Sequence, residues 1–307
     1  LASATGKESI MFKIGKLFHL THVVDNLREA DQWYDDVFSA CRYYRGYMRA
    51  AMRNASVLAI GDTPFEAIQT APVPGAENSA IGKFHARYGQ HVHSIAWYVD
   101  SIEATFNQLS KHNVRQVDMV GRPAKGPFGK RNIAVWTHPK DTHGAIEFAQ
   151  VEDFSIDVRL HPGWSTAYWR DQHPLGIERA SHITVVVRDL GKATAFYRDV
   201  LGGKLLHEEE TPGHKRSAFL AVGEDTVVEL AQPLLAQSPE ARDLEHAGEG
   251  LYSVTFKTLD LARAAQFLES KNQRIEWRGV DSLIINREDS FGIGVGFTQS
   301  KIPNDVR

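Results

Sequence analysis

Apolar and polar positions along this chain repeat in blocks, each opening with an apolar-rich stretch and passing into a segment with apolar residues at three- and four-residue spacing. The second half shows the block most cleanly. Ser181-His182-Ile183-Thr184-Val185-Val186-Val187-Arg188-Asp189-Leu190 reads as strand and turn, and Thr194–Leu201 continues it as an amphipathic helix. Near the N-terminus, His19 to Leu27 followed by Gln32–Phe38 repeats the pattern, with His19 as far before Leu27 as His182 is before Leu190. Read for period, the chain gives four passes through strand, helix and three strands. The first has a strand at Leu17–Val24, a helix at Leu27–Phe38, and strands near Arg42–Arg49, Asn54–Ile60 and Phe65–Thr70. The second opens with His91–Val99, has a helix from Ile102 to His112, and closes with strands near Val117, Ile133–Thr137 and Ala145–Gln150. The third begins at Ser181–Val187 and ends with Thr226–Ala231. The fourth runs Leu251–Lys257, a helix Leu261–Ser270, and a last strand near Ile293–Thr298.

The units pair into an N-terminal domain over residues 12–150 and a C-terminal domain over 179–299. Residues 151–178 form a linker broken by His161-Pro162-Gly163 and His173-Pro174-Leu175-Gly176, whose aromatics Phe154, Trp164, Tyr168 and Trp169 suit packing on the surface. Pro72–Ala80 and Gln237–Gly250 read as loops separating the paired units. The fold class expected is α+β: four βαβββ modules paired into two half-open barrels.

Composition narrows the function. The 307 residues suffice for two cores, with 42% hydrophobic and 24% charged residues typical of a soluble protein. A net charge of −3 gives no footprint for nucleic acid or an anionic membrane. Cys41 stands alone, which excludes an internal disulfide and fits a cytoplasmic setting. No apolar run reaches the roughly 18 to 20 residues needed to cross a bilayer, and Leu1–Ile10 is too polar for a signal-peptide core. Met11 is a candidate native start.

Histidine in the first strand and glutamate in the last strand of tandem units resembles the vicinal oxygen chelate superfamily, which includes glyoxalase I, methylmalonyl-CoA epimerases, extradiol dioxygenases and bleomycin-resistance binders. The likeness covers Phe12–Val151 and Ile177–Gln299. His138-Pro139-Lys140-Asp141-Thr142-His143-Gly144-Ala145-Ile146-Glu147 is similar to the segment before the last metal ligand of the epimerases. The resemblance implies a metal on the inner face of the N-terminal domain, held by His19, Glu66, His93 and Glu147. An alignment from Val99-Asp100-Ser101-Ile102 instead puts Ser94 where His19 stands; a serine cannot replace an imidazole, so His93 is preferred. His22 falls on the opposite face from His19 by strand alternation. His91 shares the face of His93, while His138 and His143 read as loop residues.

In the second half His182 and Glu229 match His19 and Glu66, yet Tyr252 or Ser253 replaces the second histidine. Gly292, Gly294 and Gly296 populate the final strand, so that domain is expected to be metal-free. For the N-terminal site the resemblance implies one divalent ion, Fe, Mn, Co, Ni or Zn, with about two positions left for adjacent substrate oxygens. Glu147 and Glu66 would move a proton next to a carbonyl in a lyase or isomerase reaction. An Fe(II) ring-cleaving dioxygenase using His19, His93 and Glu147 is the alternative, and a non-catalytic small-molecule binder the second alternative. Trp97, Arg45, Tyr47 and Arg49 are candidate substrate contacts, since Arg42–Arg53 is rich in Arg and Tyr and suits an anionic or aromatic molecule. The strand Cys41–Arg53 holds no carboxylate, which departs from the epimerases. A small-molecule substrate with vicinal oxygens is the expected partner, and a homodimer is compatible with the reading.

Overall fold

The computed structural model describes residues 12–128, 133–151, 157–162 and 164–307. Leu1–Ile10, Met11, Phe154 and Gly163 therefore lie outside the described residues. Two eight-stranded mixed sheets dominate, matching the α+β expectation. The first contains β1 (Ile14–Val23), β2 (Cys41–Met48), β3 (Arg53–Ile60), β4 (Thr63–Thr70), β5 (His91–Val99), β6 (Gln116–Val117), β7 (Ile133–Thr137) and β8 (Ala145–Gln150), in the order β2-β3-β4-β1-β5-β8-β7-β6. The second repeats that order with β9 (Ile177–Val186), β10 (Lys204–Thr211), β11 (Lys215–Val222), β12 (Thr226–Pro233), β13 (Gly250–Thr258), β14 (Ile275–Arg278), β15 (Ser282–Ile285) and β16 (Gly294–Thr298). Each sheet is a half-open barrel joined at its centre by an antiparallel pair, β1–β5 or β9–β13, and flanked by parallel pairs.

The helices are α1 (Leu27–Phe38), α2 (Ala80–Tyr88), α3 (Ile102–Lys111), α4 (Pro139–Thr142), α5 (Leu190–Asp199), α6 (Pro239–His246) and α7 (Leu261–Ser270). Asn26, Ser101, Asp189 and Asp260 cap α1, α3, α5 and α7 through side-chain acceptors, each cap contributing about 1 kcal/mol. The same cap after each opening strand makes the four modules start alike. Two helices depart from expectation. Gln237–Gly250, read as a loop, contains α6, started by the Ser238 cap with Pro239 at the first position. α2 fills the stretch after Pro72–Ala80 and is capped by Ser79. Short length and sparse apolar residues hide both from a periodicity search.

Trp33, Tyr34 and Phe38 of α1, Leu20 and Trp97 beneath them, and Phe256 and Phe297 of the second half belong to one continuous buried cluster. The halves also exchange hydrogen bonds reciprocally. Asp62, in the β3–β4 turn, accepts from the Ala180 amide of β9 at 2.8 Å. Asp225, in the β11–β12 turn, accepts from the Leu17 amide of β1 at 2.8 Å. Gly223 beside it has φ +68°, and a Cβ there would lie 2.3 Å from the Gly15 carbonyl, so only glycine permits the approach. Two matching arginine clamps close the repeat. Arg159 donates to the carbonyls of Leu17 and Asp62, and Arg307 donates to those of Ser181 and Asp225. Both occur in the tripeptide Asp-Val-Arg, at 157–159 and 305–307.

Candidate metal and substrate site

Strand register places the candidate residues. Thr21 is paired with Glu66 of β4 on one side and Ser94 of β5 on the other. Ala96 of β5 is paired with His19 of β1 and Glu147 of β8. Cross-strand partners share a face, so His19, Glu66, Ser94 and Glu147 share the concave face. An approximate two-fold axis between β1 and β5 relates Glu66 to Glu147 and His19 to Ser94. The seven-residue interval to the helix cap agrees: Asn26 follows His19 as Ser101 follows Ser94.

His93 is the extra residue of a β-bulge, since Val92 pairs with His22 and Ser94 with Thr21. Its Nδ1 lies 3.0 Å from Ser94 Oγ, and its ring meets Phe84 of α2 edge to face. Burial, reinforced by Arg53 and opposed by Glu66, lowers its pKa to about 4, so the ring is neutral. Among the described residues His93 forms no ion pair with Glu66 or Glu147. Of the four expected ligands, the structure brings together His19, Glu66 and Glu147. His19 Nε2 is 3.5 Å from Glu66 Oε2 and 3.3 Å from Glu147 Oε2, and all three residues are buried.

These spacings exceed those of good hydrogen bonds, and His19 Nε2 is a buried nitrogen without a hydrogen-bond partner. Among the described residues no group of three or more His, Cys, Asp or Glu side chains is spaced to hold a metal ion. Two carboxylates facing one orphaned imidazole nitrogen nevertheless form a donor set that fits a divalent cation, with one nitrogen and two oxygens. The alternative occupant is a proton. Burial opposes a charged His19 ring, but Glu147 and then Glu66 outweigh it and raise the pKa. Arg53 of β3 is the other charge here. Buried like Glu66, it donates from Nη2 to both Glu66 oxygens, at 2.9 and 3.1 Å, while its Nε has no partner. A cavity of about 230 Å³ adjoins this group, lined by Thr21, Arg53, His93, Ser94, Trp136 and the Gly248–Leu251 segment of the second half.

The expected substrate contacts fall elsewhere. Plain alternation from His93 puts Trp97 on the same face, but the bulge shifts the register. Trp97 pairs with Leu17, is fully buried against Phe148, and donates from Nε1 to Thr226 Oγ1 at 3.1 Å. Arg45 pairs with Ser56 and Tyr47 with Asn54, which places both on the helix-bearing face, and Arg45 Nε bonds to Asp31 at 3.0 Å. Arg49 lies in the exposed turn Arg49–Ala51. Of the arginines in this segment, Arg53 alone lines the cavity. His22 turns to the opposite face, against Tyr34 Oη at 2.9 Å. His91 pairs with Asp243 of α6 at 2.9 Å and His143 with Glu249 at 2.9 Å, so both serve the contact between halves.

The second half repeats the frame with changed chemistry. Thr184 lies between Glu229 and Ser253, and Thr255 between His182 and Gly296. Lys215 takes the place of Arg53, and Gly296 that of Glu147. Glu229 accepts from Lys215 Nζ at 2.6 Å, Ser217 at 2.7 Å and Thr184 at 2.7 Å. Its third position is thus a glycine, and its carboxylate is held by Lys215.

Comparison with known proteins agrees with this frame. The profile of the Glyoxalase/Bleomycin resistance protein/Dioxygenase superfamily matches residues 16–146 and 179–294. Mitochondrial methylmalonyl-CoA epimerase of Mus musculus is 33% identical over 130 residues, covering 40% of this chain and 73% of that protein. The uncharacterized protein YqjC of Bacillus subtilis is 33% identical over 100 residues, covering 32% of this chain and 71% of that protein. A mutant of 4-hydroxymandelate synthase from Streptomyces coelicolor superposes with a TM-score of 0.68 over 94% of each chain at 12% identity, a likeness of fold. The chain belongs to the Glyoxalase/Bleomycin resistance protein/Dioxygenase superfamily.

Proposed function

We propose that the N-terminal concave face is a divalent-metal centre serving proton transfer of the lyase or isomerase type, on a small anionic substrate with two adjacent oxygens. The observation that carries this is the convergence of Glu66 and Glu147 on the unpartnered Nε2 of buried His19. These three residues would hold the ion, and when bound it would act as a Lewis acid on substrate oxygens. Glu147 has no guanidinium clamp among the described residues and takes the role of the group that accepts and returns the α-proton. Glu66, with both oxygens engaged by Arg53, is assigned to holding rather than to moving protons. Charge suits an anionic substrate: Glu66 and Glu147 give −2, Arg53 gives +1, and a divalent ion brings the sum to +1. Arg53, which lines the cavity and has a buried Nε without a partner, is the cation assigned to meet a substrate carboxylate. One imidazole with two carboxylates favours this reading over the ring-cleaving dioxygenase alternative, which would run its oxygen chemistry on two imidazoles and one carboxylate.

The test is deuterium exchange. Metal-reconstituted protein is incubated in deuterated water with a panel of 2-hydroxy- and 2-oxo-acid derivatives, and α-deuteration and oxygen uptake are followed together. The expected result is exchange without oxygen uptake, abolished in Glu147→Gln. Oxygen consumption without exchange overturns the reading.

A further inference from the structure

The concave face of the second half encloses a cavity of about 350 Å³, larger than that of the first. Glu147 has no counterpart there, because Gly296 leaves that position without a side chain. The Lys215–Glu229 pair closes one side and is internally neutral, with Glu229 kept well ionised by its three donors. His182 is neutral: burial lowers its pKa to about 4. A different carboxylate is left over. Glu240, in the first turn of α6, is 5% exposed and lines this cavity, and its Oε2 is buried without a hydrogen-bond partner.

A buried acid without a partner is costly unless a cation or donor reaches it. Two further carboxylates, Glu209 and Glu276, line the same space, against the two lysines Lys215 and Lys301. With Glu229 and Glu240 the acids number four, so the lining carries −4 + 2 = −2. The apolar part of the wall is aromatic: Phe219 and Tyr252 are buried, the Tyr252 ring already carrying the Arg287 guanidinium at 4.6 Å, and Trp277 stands 45% exposed at the rim. A cavity lined by both carboxylates and aromatic side chains suits an organic cation, whose charge meets the acid while its body packs on the aromatic wall. An anion would meet net negative charge, and a bare metal ion would lack a third ligand.

We infer that the second concave face is a binding site for an organic ammonium with an apolar body, its charge received by Glu240. This site is separate from the proton-transfer centre.

The experiment measures binding of phenethylammonium to the full chain by calorimetry, with 2-phenylethanol and phenylacetate as neutral and anionic counterparts. Saturable binding of the ammonium, weakened about tenfold in Glu240→Gln, is expected. Glu147→Gln should leave it unchanged. Trp277→Ala, a rim substitution that leaves the core intact, should weaken it severalfold. Equal or tighter binding of the alcohol or the carboxylate overturns the inference. So does indifference to Glu240→Gln in protein whose melting is unaltered, or absence of binding at millimolar ammonium.

Discussion

Replacing Arg159 by Met removes a cation from the segment joining the halves while keeping most of its volume. The Arg159 side chain is 6% exposed and that of its partner Asp157 is 2% exposed. The guanidinium donates to Asp157 Oδ2 at 2.8 Å and Oδ1 at 3.1 Å, and to the carbonyls of Leu17 and Asp62. After the substitution Asp157 retains Tyr98 Oη at 3.2 Å and the residue 159 amide at 3.0 Å. Removing one partner of a buried pair costs about 3–5 kcal/mol. At about 2–4 °C per kcal/mol that lowers Tm by about 6–20 °C. The pH dependence has a defined sign. Burial raises the Asp157 pKa, but Arg159 outweighs it and holds the carboxyl below its ordinary value of 3.8. The pair therefore stabilises the fold above the unfolded pKa and loses that contribution as pH falls through the folded one. The deficit of Arg159→Met should be full at pH 7 and shrink as pH falls below the ordinary carboxylate value of 3.8. Urea titrations of both proteins at neutral and acidic pH measure it. A deficit under about 1 kcal/mol at neutral pH, the worth of a surface pair, would refute the placement of this segment as an integral clamp.

Ser94→His should restore a second imidazole at the position related to His19 and tighten metal binding, whereas His93→Ala should leave metal affinity nearly unchanged; competition with a chromogenic chelator reads both, and the opposite ranking would show that the bulge places His93 as a ligand. In the second half, burial raises the Glu229 pKa, but Lys215 and His182 outweigh it and bring it down to about 2 from its ordinary value of 4.5. That carboxylate stabilises the fold above the unfolded value and loses its contribution as pH falls towards about 2, so Glu229→Gln should flatten acid unfolding across this window, and an unchanged acid limb would count against the pairing.

The doubled architecture was legible because each module repeats the same signals: a strand, a cap such as Asn26 or Asp260, and an amphipathic helix. α1 and α7 occupy the very spans expected, Leu27–Phe38 and Leu261–Ser270. The face a side chain takes was legible where plain alternation holds, as for His19 and His22. It failed at β5, where one extra residue breaks the two-residue period. That single bulge moves Ser94 into line with Thr21, turns His93 toward α2 and sends Trp97 into the core. The interval from Ser94 to the Ser101 cap carried the right register, and chemical preference for imidazole overrode it. Arg53 was hidden among four arginines because its difference from Arg45 is a matter of face, which is set by the turn that pairs Met48 with Arg53. The Asp-Val-Arg tripeptides were visible as text, but their meaning depends on carbonyls contributed by distant turns.

The reciprocal turn contacts give the second half a duty apart from any ligand it binds. Asp225 anchors the Leu17 amide, and two residues further along the same strand stands His19. The height of that imidazole against Glu66 and Glu147 is therefore indexed by a turn in the other half of the chain. Asp62 returns the same service to Ala180, two residues before His182. A duplicated fold built this way can let one copy's ligand set decay and still not discard that copy, because the surviving site is gauged from it. Substitutions in the β11–β12 turn, far along the sequence from His19, should consequently behave as mutations of the N-terminal site.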